Sequence, residues 1–192
     1  MQFSTSLLGL PKQLKLFLFI AALFALANFS YMFFILRAQN LFGKTHMIGT
    51  PILLYVLYNI FYAGSSIPFG YLSDKIGRKK VLLLGYSLFT ITTLGLALFS
   101  SLTAYIVLFA LYGIVKGIID GNQRAFVADL SRKHAQGTSL GAYHTTIGLA
   151  ALPASIIAGA MWQLTPSATF FYGAVMSAVA AGAFFVTRKK YN

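Results

Sequence analysis

The sequence predicts an all-α membrane protein with six transmembrane helices, on three observations. Of its 192 residues, 58% are hydrophobic and 9% charged, whereas a soluble domain carries roughly 25% charged residues. So few polar groups cannot cover a globular surface, and lipid must face much of it. The chain also contains six apolar runs, about 14–37, 48–70, 81–100, 104–129, 138–162 and 168–187, each near the ~20 residues that cross a bilayer. Finally, short segments with turn chemistry separate the runs: Gly43-Lys44-Thr45-His46, a basic stretch centred on Gly77, Ser100-Ser101, Arg132 to Gly137, and Thr165-Pro166-Ser167. Such short connections make consecutive helices antiparallel.

The net charge of +12 does not indicate nucleic acid, because the basic residues cluster between apolar runs, where they encode topology. With the N-terminus inside, eleven fall on the cytoplasmic side (Lys12, Lys15, Lys75, Arg78, Lys79, Lys80, Arg132, Lys133, Arg188, Lys189, Lys190), against two outside (Arg37, Lys44). This asymmetry places both termini in the cytoplasm of a multi-pass plasma membrane protein, the inner membrane in a bacterium. The first apolar run is too long for a signal-peptide core. There is no cysteine and no glutamate, and His46, His134 and His144 lie on different segments. Thiol chemistry, a metal site and a cofactor are therefore not expected.

The first span carries Asn28, Ser30 and Tyr31 near its middle and Arg37 at its outer end, where a long basic side chain snorkels to the interface. On the second, Tyr55, Tyr58, Asn59 and Tyr62 recur at helical spacing. Both sets suit either a polar pathway or an interhelical seam.

Between the second and third spans runs Gly70-Tyr71-Leu72-Ser73-Asp74-Lys75-Ile76-Gly77-Arg78-Lys79-Lys80. Gly77 permits the left-handed backbone that a tight interhelical turn needs. Asp74 can accept hydrogen bonds from Arg78, whose planar fork suits carboxylates. The stretch resembles the signature loop of the major facilitator superfamily, G-x-L-[SA]-D-[RK]-x-G-R-[RK]-[RK], at every constrained position. The resemblance implies a secondary transporter of a small solute, not an enzyme, in which this loop acts as a conformational latch. Its partner is an acid at the cytoplasmic end of the fourth helix, matched here by Asp129, so an Asp74–Arg78–Asp129 cluster with Gly70 and Gly77 is expected. The segments Arg124 to Asp129 and Gly137 to Tyr143 resemble the same family, with Gln136 where arginine is usual. The family plan is one half of a twelve-helix unit: six helices as two inverted three-helix repeats, here a single bundle over residues 1–192. Its first and fourth helices line the cavity, the second and fifth meet the partner half, and the third and sixth face lipid. The lead-in and fourth span are most like a C-terminal half.

The third and sixth spans carry no ionisable group other than tyrosine, in keeping with that plan. The fourth carries Lys116, Asp120 and Arg124 at i, i+4, i+8 on one face. With Lys116 near the midplane, Asp120 lies roughly 6 Å and Arg124 roughly 12 Å nearer the cytoplasm. Acid before base at i, i+4 is the better helical pair, so Asp120–Arg124 is the expected pair. Lys116 is then left for an anionic substrate group; the alternative is a structural ladder closed by the partner half. The fifth span, rich in small residues, suits close packing. Its His144 sits at a depth like that of Asp120, as a proton carrier with it or as a packing histidine, and Pro153 stands farther along. The nucleophile motif G-x-S-G of intramembrane serine proteases is not met, since Ile67 follows Ser66. Expected partners are the lipid bilayer, a small-molecule substrate and a second six-helix half, self or separate; the alternative is a non-transporting subunit or a fragment of a twelve-helix transporter.

Overall fold

Ser101 ends one apolar run and begins the next: its hydroxyl accepts the Ala104 N–H at 3.3 Å, satisfying a donor that a helix start leaves without a partner. Similar local signals set the other boundaries. The computed structural model describes residues 9–42 and 49–187. It comprises α1 (Lys12–Ala27), α2 (Met32–Phe42), α3 (Thr50–Ile76), α4 (Arg78–Leu98), α5 (Leu102–Asp129), a 3-10 turn (Lys133–Ala135), α6 (Gln136–Leu164) and α7 (Pro166–Thr187). Among the described residues, six helical segments are long and apolar enough to cross a membrane. The protein is thus an all-α membrane protein, as expected. The Gly43–His46 loop and Arg188, Lys189 and Lys190 lie outside the described residues.

The first span is broken between α1 and α2, where an unbroken helix was expected. The Asn28 N–H still bonds to the Phe24 carbonyl at 3.0 Å, but its backbone leaves the helix (φ −90°, ψ 59°). Ser30 Oγ then accepts the Met32 N–H at 3.3 Å to start α2. Short polar side chains offer the backbone such alternatives to helix. Phe29 fills the gap, buried against Phe33, Phe34 and Phe170. Protein burial of this kind is what makes non-helical backbone tolerable at membrane depth.

The main packing pairs are α3 with α5, α4 with α5 and α7, and α1 with α6 and α7. Counting α1 and α2 as one span, exchanging spans 1–3 with spans 4–6 swaps the α3–α5 pair with α1–α6 and the α4–α5 pair with α1–α7 and maps α4–α7 onto itself, a pattern consistent with two three-helix repeats. The α3–α5 seam is the tightest: a Cβ added at Gly113 or Gly117 would collide with the backbone of α3 at Tyr58 or Tyr62, the close approach small residues allow between membrane helices. In α6 small residues such as Ala154 and Ala158 are buried within the chain, but its glycines are not used for close packing there. Gly137, Gly141, Gly148 and Gly159 face open space, and α6 runs unbroken through Pro153. In both α3 and α6 only 11% of the most apolar window is buried, against 50% in α5. The outward residues of α4 and α7, such as Leu84, Ile91, Val175 and Val179, are apolar.

Candidate functional site

α3 does not stop near Gly70 but continues through the basic stretch to Ile76, leaving Gly77 as the whole connection to α4. Gly77 has φ +95°, the single positive φ among the described residues, and its N–H bonds to the Ser73 carbonyl at 3.0 Å. This turn puts Asp74 and Arg78 four residues apart across the joint. Arg78 Nη2 lies 3.0 Å from Asp74 Oδ1 and its Nε 2.6 Å from Asp129 Oδ2 at the end of α5. The fork is divided between two carboxylates on two helices. All three expected members therefore meet; Gly70 joins Asp74 and Arg78 in lining a recess of about 240 Å3 along α3 and α5, which Asp120 and Arg124 also line.

On α5, Lys116 Nζ lies 2.9 Å from Asp120 Oδ1. The expected Asp120–Arg124 side-chain pair does not form: Arg124 Nε donates to the backbone carbonyl of Asp120 at 3.0 Å. Lys116 is half-buried and among the described residues pairs with this carboxylate alone, whereas Arg124 is exposed. The other Asp120 oxygen accepts the Tyr62 hydroxyl at 3.4 Å. A second recess, about 310 Å3, is lined by Tyr62, Asp120, Arg124, Tyr143, His144 and Ile147, so His144 shares a cavity with Asp120. That volume is at the lower end of small-molecule sites, about 300–1,000 Å3.

An aromatic ladder leads from this recess to the break in the first span. The rings of Tyr62, Tyr58, Tyr55 and Tyr31 stack in turn at 6.1, 5.7 and 5.5 Å between centroids. Tyr112 continues it sideways, 4.9 Å from Tyr58 and 4.2 Å from Phe34. Asn28 lies at the break itself. Asn59 does not join: it is exposed and its amide bonds back to the Tyr55 carbonyl at 2.8 Å. Arg37 does not simply snorkel outward, since its Nη2 donates to Ser167 Oγ of α7 at 2.8 Å.

Sequence reading missed Gln123. It is buried, donates through Nε2 to the Tyr86 hydroxyl at 2.7 Å and accepts the Tyr143 hydroxyl on Oε1 at 2.6 Å. One side chain thereby ties α4, α5 and α6 and fixes the residue next to His144. Counting every polar residue within the spans, rather than ionisable ones, would have found it. Among the described residues no three His, Asp or Glu side chains gather as a metal site would require.

The family model of the Major Facilitator Superfamily matches residues 16–192. An uncharacterized MFS-type transporter of Methanocaldococcus jannaschii is 52% identical over 180 residues, covering 92% of this chain and 45% of that protein. An uncharacterized MFS-type transporter of Mycobacterium tuberculosis is 28% identical over 104 residues, 54% of this chain and 18% of that one. Among solved structures, a POT family transporter in complex with 5-aminolevulinic acid superposes with a TM-score of 0.75 at 19% identity, over 94% of this chain and 39% of that chain. The chain thus spans less than half the length of these relatives.

Proposed function

The chain belongs to the Major Facilitator Superfamily, and from that premise we propose that it is one six-helix half of a secondary active transporter that moves a small solute by alternating access. The other half is a second copy or a partner, on a separate chain or in a longer one. The single observation that carries this reading is Arg78 shared between Asp74 and Asp129. A cation held by two acids on different helices holds one helix arrangement and releases it when the helices rock, as alternating access requires. The exposed apolar faces of α3 and α6 support a second half packed there. The recess at Asp120, the stacked tyrosines and the break at Asn28 supply the substrate path, with Lys116, Asp120, Arg124 and His144 as its charged and titratable groups and Asn59 and Tyr31 at its margin. The excess of basic residues in the second and fourth connections and at both ends supports cytoplasmic termini. Membership in a transporter family, not an enzyme family, fits this reading.

The test is solute uptake into proteoliposomes, with and without a proton gradient. Asp74→Asn should reduce uptake severalfold with little change in the amount inserted. Normal uptake in that variant would remove the latch role. A second reading, a non-transporting subunit, predicts no flux of any solute even with both halves present.

A further inference from the structure

The chain has three carboxylates, Asp74, Asp120 and Asp129. Asp74 and Asp129 share Arg78. Asp120 holds Lys116 on one oxygen and the Tyr62 hydroxyl on the other. Arg124 is left with one hydrogen bond among the described residues, from Nε to a carbonyl of its own helix. Its exposed guanidinium lines the recess with Tyr62, Tyr143, His144 and Ile147. Two bases against one acid give this stretch of α5 a net charge of +1. None of the three carboxylates forms an ion pair with Arg124 among the described residues, so the site favours an anion from outside the chain. The guanidinium fork matches a carboxylate in a two-bond geometry, and the two tyrosine rings and Ile147 offer contact to an apolar body.

Resting on the transport reading of this same recess, we infer that it binds a small organic monoanion, a carboxylate with an aromatic or aliphatic body. Arg124 is its contact residue. Lys116 is an internal counterion that occupies Asp120 and so keeps that carboxylate off Arg124. The consequence is a charge rule. Lys116→Gln releases Asp120 to pair with Arg124 four residues on, the favoured order of signs, and anion binding falls although Lys116 never touches the anion. Adding Asp120→Asn to Lys116→Gln leaves Arg124 as the lone charge and restores binding.

The test is equilibrium binding of radiolabelled benzoate to the full chain in nanodiscs, with acetate, inorganic phosphate, glucose and choline as competitors. Benzoate should bind, acetate should compete, and glucose and choline should not. Arg124→Gln should weaken binding roughly 10- to 100-fold, the value of hydrogen bonds to a charged partner. Arg124→Lys, which keeps the charge and loses the fork, should fall between. Lys116→Gln should bind weakly and the Lys116→Gln/Asp120→Asn double variant about as well as wild type. Absence of benzoate binding, unchanged binding in Arg124→Gln, phosphate competing better than acetate, or a double variant as weak as Lys116→Gln would each overturn the assignment. Flux in proteoliposomes separates this from the transport reading. Anion bound but never moved removes transport and leaves the ligand class; choline or glucose moved without anion binding removes the class and leaves transport.

Discussion

The two charged clusters of this chain are built in opposite ways. At the Gly77 joint one base serves two acids, and the three residues come from α3, α4 and α5. Inside the membrane two bases surround one acid, and all three residues lie on α5. A cluster spread over helices stretches when the helices move, so its free energy depends on conformation. A cluster within one helix moves with that helix and keeps its charge in every conformation. The first is suited to sense the state and the second to hold a ligand through it. Side-chain exposure of 63% for Asp74 and 54% for Asp129 fits the first role, since exposed pairs contribute little to static stability and are cheap to break and remake.

The α3–α5 seam joins the two clusters, and perturbing it should have the largest effect. Gly117→Val places a branched side chain against Ser65 and the Tyr62 carbonyl. Overpacking of this kind costs about 1–3 kcal/mol, and it would push Tyr62 from Asp120 and Asp74 from α5 together. Both anion binding and uptake should collapse, read by the benzoate and flux assays, with melting lowered in parallel. A variant that lost one activity and kept the other would show that the clusters do not share the seam.

Next in size is Arg78→Lys. Lysine keeps the charge but is a compact point donor without a fork, and it cannot reach two carboxylates on two helices as Nε and Nη2 do. Uptake should fall on the order of 10-fold, within the 5- to 150-fold typical of coupling between states, while benzoate affinity stays within about threefold. Equal losses in uptake and binding would erase the distinction between sensor and holder.

What the sequence made legible divides along the same line. The Asp74–Arg78–Asp129 cluster could be anticipated because the spacing of Gly77 and its neighbours constrains one turn, and Asp129 ends the span that carries Lys116, Asp120 and Arg124. The pairing within α5 could not. Helical pair preferences amount to roughly 0.2–0.5 kcal/mol, less than the difference between a half-buried lysine that needs its carboxylate and an exposed arginine that does not. Hydropathy marks apolar runs, not helix ends, so it missed the continuation of α3 to Ile76 and the break at Asn28, where Phe29 packing decides the path. The three-helix tie through Gln123 was hidden because its partners, Tyr86 and Tyr143, are distant in sequence.

Gln123→Leu tests whether the holder also depends on its neighbours. The change leaves two buried tyrosine hydroxyls without this partner. Hydrogen bonds between membrane helices average about 0.6 kcal/mol and reach about 1.7, so melting should drop by only a few degrees. Benzoate affinity should fall severalfold as Tyr143 shifts beside His144, with uptake falling in proportion. A fully stable protein with unchanged affinity would show that α6 is placed by its other contacts.

The smallest effect is expected from Tyr62→Phe, which keeps the ring stacked on Tyr58 and removes only the hydroxyl 3.4 Å from Asp120. A bond that long is weak, and Lys116 at 2.9 Å remains to hold the carboxylate. Benzoate affinity should change by less than about threefold. The comparison sharpens if it does, because Asp120 is then held within α5 alone. A loss of 10-fold or more would mean that α3 carries part of the restraint through Tyr62. The intramembrane cluster would then also span two helices, and ligand charge and conformation would be read by one network rather than by two.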